Sequence, residues 1–137
     1  MTPKGDEMSA ADNAATLSAY AVGHDASHLT DDAVFTDMNS GQQSVGREQI
    51  AGMLHWIYSV AFEARFEEAS RAIDEDSGAV EGVIVGRHIG EFGGMPATNR
   101  DVRIPMAVVY RFRDGKIAAA NIYMAFGAFM AQVTGPA

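Results

Sequence analysis

The chain has 137 residues, 47% hydrophobic and 20% charged, which suits one globular domain with a single core. Eighteen acidic against ten basic side chains leave a formal charge of -8, which repels phosphate backbones and anionic lipid surfaces, so neither nucleic acid nor a membrane is an expected partner. The absence of Cys removes disulfide scaffolds, thiolate nucleophiles and Cys-ligated metals, and with no apolar run near the roughly 20 residues of a bilayer span the chain is expected to be cytoplasmic.

Residues 1–10, small and polar with Pro3 and Gly5, are expected to form a flexible N-terminal arm, and residues 11–137 a single domain. Leu17, Tyr20 and Ala21 recur at helical spacing in an Ala-rich stretch, predicting a helix over 11–22 stopped by Gly23, with a very short helix over 25–29. Residues 33–38 alternate as a strand that puts Phe35 and Asp37 on one face, and the run Asn39-Ser-Gly-Gln-Gln43 breaks it. Gly46 caps a second helix, with Glu48 at its positive dipole end and Ile50, Met53, Leu54, Ile57 and Ala61 at helical spacing. Beyond Ala64 the pattern becomes strands, predicted over 65–74, 79–92 and 102–113, and the acid-rich stretch from Glu63 to Glu81 reads as the solvated face of an edge strand.

Asp114-Gly115 between two apolar runs signals a two-residue hairpin turn. Facing Arg113 with Lys116 then pairs Phe112 with Ile117, Tyr110 with Ala119, Val108 with Asn121 and Met106 with Tyr123, all on one face. The opposite face, with Ala107, Val109, Ala118, Ala120 and Ile122, is also mostly apolar and needs a cover. A homodimer through this outer sheet face would supply one, and the C-terminal segment 126–133 competes for the same role. Helices first and antiparallel strands after them define an α+β domain.

Five segments in this order, Thr30-Asp-Asp-Ala-Val-Phe-Thr-Asp37, Val45-Gly-Arg-Glu-Gln-Ile50, Gly86-Arg-His-Ile-Gly-Glu-Phe92 with Gly94-Met-Pro-Ala-Thr98, Val109-Tyr-Arg-Phe-Arg-Asp-Gly-Lys-Ile117 and Phe129-Met-Ala-Gln132, carry a resemblance. Over residues 14–135 the chain resembles a SnoaL-like member of the nuclear-transport-factor-two superfamily. The resemblance implies an α+β, cystatin-like, cone-shaped barrel, in which N-terminal helices pack on a strongly curved antiparallel sheet around a deep apolar pocket. It also implies chemistry of polyketide-cyclase or ketosteroid-isomerase type, with a carboxylate removing a proton alpha to a carbonyl of a hydrophobic polyketide- or steroid-like substrate without a cofactor. Because the superfamily also holds non-catalytic binders, a binding protein for an apolar small molecule is the alternative.

Asp37 is the first catalytic candidate, because an inward carboxylate among Met, Trp and Phe side chains can serve as a general base. The other reading of Asp37 is a cap on the Asn39-Ser-Gly turn. The resemblance supports the first, since Asp31-Asp-Ala-Val-Phe-Thr-Asp37 is similar to the run that ends in the base of ketosteroid isomerases. Asn121 and Tyr123, with Tyr110, fall on the inferred concave face, where they would steady an enolate or else satisfy one another. Tyr20 would project its phenol into the pocket from the first helix, and Phe35, Met53, Trp56, Met106 and Val108 are expected to line it. His88 stands where the family often carries a histidine, and is read either as a pocket ligand or as a hydrogen-bonded core residue. His24 and His28 read as a surface pair, and no metal site is expected for want of a third ligand. Two positions depart from the family pattern: Ala125 stands where SnoaL-type cyclases place an acid, and Val108 near the isomerases' acidic oxyanion donor.

Overall fold

In the computed structural model, which describes residues 9–136, the first helix α1 (Ala10–Gly23) begins for a local reason. The Ser9 hydroxyl accepts from the Asp12 amide while the Asp12 carboxylate accepts from the Ser9 amide, closing a capping box on two otherwise orphaned donors. Residues 1–8 of the expected arm lie outside the described residues, and Ser9 and Ala10 belong to the helix start instead. The helix ends at His24, whose backbone turns into the left-handed region at φ 52°. A single 3-10 turn over Ala26–His28 leads into β1 (Leu29–Asp37), and β2 (Gln43–Val45) pairs back on it. Gly46, at φ 85°, then opens α2 (Gly46–His55).

The last turns of this helical stretch widen into a π-turn over Trp56–Ala61. Strands β3 (Phe62–Ile73), β4 (Ser77–His88), β5 (Asp101–Arg113) and β6 (Lys116–Met124) follow, and α3 (Phe126–Thr134) closes the chain. No helix among the described residues is long and apolar enough to cross a membrane.

The six strands form one sheet in the order β2-β1-β6-β5-β4-β3. The α+β architecture is as expected, with one correction: the sheet is mixed, because β1 runs parallel to β6 while every other neighbour is antiparallel. Two bulges bend it. In β3 the register slips between Glu68 and Ser70, and at Gly82 opposite this bend a Cβ would sit 2.1 Å from the Glu67 carbonyl oxygen, so only glycine lets β3 press so closely on β4.

In the β5–β6 hairpin the pairing runs Arg113 with Lys116 and Phe112 with Ile117, as expected, and then slips by one. Arg111 meets Ala119, so Ala118 is an extra residue on β6 and every later side chain changes face. Two apolar clusters fill the concave side, one between α1 and the sheet around Leu17, Tyr20, Phe35 and Tyr110, the other under α3 around Phe62, Ile84, Ile104 and Phe129. The C-terminal segment therefore covers the concave face, and none of the described residues covers the convex face.

Candidate active site

Between the helices and the concave face lies a cavity of about 740 Å3, within the range of small-molecule sites. Eight of the eleven residues expected at the site line it: Tyr20, Phe35, Asp37, Met53, Trp56, Met106, Val108 and Tyr110. Each reaches it for a simple reason. Tyr20 is on the buried side of α1, Phe35 and Asp37 share a face of β1, and Met106, Val108 and Tyr110 alternate inward along β5.

Three expectations are corrected. The bulge at Ala118 pairs Val108 with Ile122 and Met106 with Met124, so Ile122 and Met124 face the cavity. Asn121 and Tyr123 are turned to the convex face, and neither is placed to hold a substrate of this cavity. His88 is fully buried away from the cavity, with Nδ1 2.9 Å from the Thr98 hydroxyl, Nδ1 also accepting from the Thr98 amide, and the ring packed against Phe62 and Phe129. Nδ1 as acceptor puts the proton on Nε2, which has no hydrogen-bond partner among the described residues.

Sequence reasoning passed over Tyr58, Phe66 and Glu68 and read His24 as a surface residue, and all four line the cavity. For His24 the surface reading fails because the left-handed helix end turns its imidazole onto the cavity wall, stacked 4.8 Å from the Tyr58 ring and edge-on to Tyr20 at 5.2 Å. Trp56, Ile57 and Tyr58 are consecutive yet all line the cavity, which the π-turn accommodates by widening the helix. Nothing in local periodicity announces a π-turn. Glu68 could have been found by counting alternate residues inward from Phe62 along β3.

The polar groups divide into tied and free. Glu68 is held by Arg71 through two bonds of 2.7 and 2.8 Å, and Arg71 also donates to the Ser18 hydroxyl on α1. Asp37 sits exposed at the rim, its two carboxylate oxygens accepting from the Asn39 amide at 2.9 Å and the Ser40 hydroxyl at 3.0 Å. It is at once a wall residue and the cap of its own turn: the hydrogen bonds are those of the turn-cap reading, and the carboxylate stands exposed at the rim instead of inward among apolar side chains.

The phenols of Tyr20, Tyr58 and Tyr110 carry no side-chain hydrogen bond among the described residues. Burial pushes Tyr58 up to about 12. Burial first, then the neighbouring phenols, and for Tyr110 also the Glu68 carboxylate, push Tyr20 and Tyr110 well above the usual tyrosine value. All three are neutral proton donors near pH 7, aimed into an apolar space. Ala125, at the position where the sequence resemblance implies an acid, is the residue before α3 and adds no ionisable group. Among the described residues no cluster of three or more His, Asp or Glu is placed to hold a metal ion.

Comparison with known proteins agrees with this geometry. The family model for SnoaL-like polyketide cyclase matches residues 14–133. No curated protein matches the chain. Among solved structures, a protein from Jannaschia sp. CCS1 assigned as a SnoaL-like polyketide cyclase superimposes with a TM-score of 0.80 at 17% identity, covering 100% of this chain and 99% of the other. A protein from Xanthomonas campestris assigned as a polyketide cyclase gives 0.79 at 18% identity, with 91% and 98% covered. A protein of ketosteroid isomerase-like fold from Catenulispora acidiphila, crystallised with trimethylamine, gives 0.71 at 21% identity, with 88% and 93% covered. At such identities the likeness shows the fold and leaves the chemistry to the site.

Proposed function

The chain belongs to the SnoaL-like polyketide cyclase family, and from that premise we propose that it is an acid/base enzyme acting on a hydrophobic, carbonyl-bearing polyketide- or steroid-like molecule. The reaction is removal of a proton alpha to the carbonyl, followed by isomerisation or ring closure. One observation carries this reading: two buried phenols and one half-buried phenol, their hydroxyls unengaged among the described residues, line an apolar cavity that has a carboxylate on its rim. An apolar binder needs no such donors, whereas an enolate oxygen forming among them is stabilised by neutral hydrogen-bond donors in a site of low polarity. Asp37 is the candidate base.

A second reading, an apolar carrier on the same fold, draws on the turn bonds that already occupy both oxygens of Asp37. Asp37→Asn decides between them. With 2-tetralone, a two-ring ketone, as probe, the enzyme reading expects alpha-proton exchange into D2O to fall by about 100-fold or more while binding, followed by Trp56 fluorescence, persists. Undiminished exchange in that variant removes Asp37 as the base.

A further inference from the structure

His24 is a cavity residue that the proposal above does not use. Its ring plane is fixed from two elements, stacked 4.8 Å from and 12° off the Tyr58 ring on the π-turn and edge-on at 5.2 Å to Tyr20 on α1. No hydrogen bond from the described residues engages either ring nitrogen. A half-buried imidazole on the cavity wall, with both nitrogens unengaged by the described residues, can take its hydrogen-bond partner from an occupant of the cavity. The contrast with Asp37 is direct: Asp37 is exposed with its oxygens tied into a turn, and His24 is sheltered with its lone pair free.

We propose that His24 is a second proton-transfer residue of this cavity, accepting the proton of a carbon acid whose oxygen is held by the tyrosine hydroxyls. The inference rests on reading the cavity as a proton-transfer site. In the step, the C–H bond alpha to the carbonyl breaks and its electron pair passes into the enolate. The proton goes to the free imidazole nitrogen, and the imidazolium then returns it to carbon, or to the oxygen left by ring closure, so nothing is oxidised or reduced.

Burial lowers the pKa of His24 below the ordinary imidazole value, which keeps it neutral and basic at pH 7. The titratable groups that meet it are the phenols of Tyr20 and Tyr58. On the adjoining turn, Asp25 directs its carboxylate to the Ser27 amide, and His28 lies beyond it. Of the carboxylates elsewhere on the cavity wall, Glu68 is neutralised by Arg71 and Asp37 stands at the rim.

The test follows exchange of the alpha protons of 2-tetralone in D2O by proton NMR, from pH 4 to 8, in the full chain and in His24→Asn. Asn suits the left-handed backbone at this position, so the helix end is kept. The expected result is a rate that rises with pH through a midpoint below about 6.5, and a loss of about 100-fold together with that midpoint in the variant. A variant within about threefold of the parent overturns the proposal, as does a parent midpoint in the carboxylate range near ~4. If Asp37→Asn abolishes exchange while His24→Asn does not, the role of His24 falls and the reading of Asp37 stands. A parent that binds the probe without accelerating exchange contradicts both. The pH profile of the unaltered protein decides the matter even if the variant does not fold.

Discussion

The hydroxyls of Tyr20, Tyr58 and Tyr110 set a test that separates function from folding at single residues. Because no group among the described residues engages them, Tyr110→Phe or Tyr20→Phe deletes a buried donor without orphaning an acceptor, and unfolding stability is expected to stay within about 1 kcal/mol of the parent or to rise. Proton transfer is expected to fall by about 10- to 1000-fold in the same variants, as for the loss of one oxyanion donor. Chemical denaturation and 2-tetralone exchange on one sample check both halves, and a variant that loses stability but not rate would make the phenol a packing group.

His24 gives a second residue-scale expectation, about pH. Its folded pKa lies below the unfolded value of about 6.5 because burial disfavours the charged imidazole, so the unfolded chain binds the extra proton more readily. Its contribution to stability is therefore complete above about pH 6.5 and is lost as pH falls toward the lower folded value. His24→Asn should flatten the stability profile over that window, seen as a smaller drop in melting temperature between pH 7 and pH 5.

At the scale of elements, one extra residue in β6 decides which side chains meet a ligand. With the bulge at Ala118, Ile122 is a wall of the cavity and Asn121 is not. Ile122→Ala is then expected to cost about 1–3 kcal/mol and to weaken probe binding, whereas Asn121→Ala should stay within about 0.5 kcal/mol and leave binding unchanged. The reverse pattern would restore the uninterrupted register. This bulge also marks how far the sequence could be read. Alternation along β1 and β5 placed Phe35, Asp37, Met106, Val108 and Tyr110 correctly, and helical spacing placed Tyr20 and Met53, because those periods run unbroken to the site.

Asn121 and Tyr123 went to the wrong face because period-two reasoning transmits a single slip to every later residue, and an alanine beside two other alanines carries no signal of a bulge. Tyr58 and His24 were missed for the same kind of cause: a π-turn and a left-handed helix end each re-aim a side chain away from the position its spacing predicts. The parallel pairing of β1 with β6 joins the first strand to the last, a contact that no local pattern encodes.

At the scale of the whole molecule, the location of α3 leaves a specific face open. Val83, Val85, Ala107, Val109 and Ala119 form a half-buried apolar strip on the convex side, with Tyr123 46% exposed, and α3 packs on the opposite side of the sheet. We propose that a second copy of this chain covers the strip, since it is apolar and half-buried while the charges beside it are matched within the chain, Arg65 and Arg103 with Glu67 and Arg87 with Asp101. Sedimentation is expected to show a dimer, and Ala107→Arg to shift it to monomer without loss of the fold; a monomeric parent at micromolar concentration would remove this assembly.

The cavity on the other face carries the central claim, that this is a site where a proton alpha to a carbonyl is moved. The most direct measurement is alpha-proton exchange of 2-tetralone in D2O by the unaltered protein, with Trp56 fluorescence reporting occupancy of the same cavity. The account predicts saturable binding and exchange faster than in matched buffer by about 100-fold or more. Saturable binding with exchange no faster than buffer would contradict it and make the cavity a carrier's pocket.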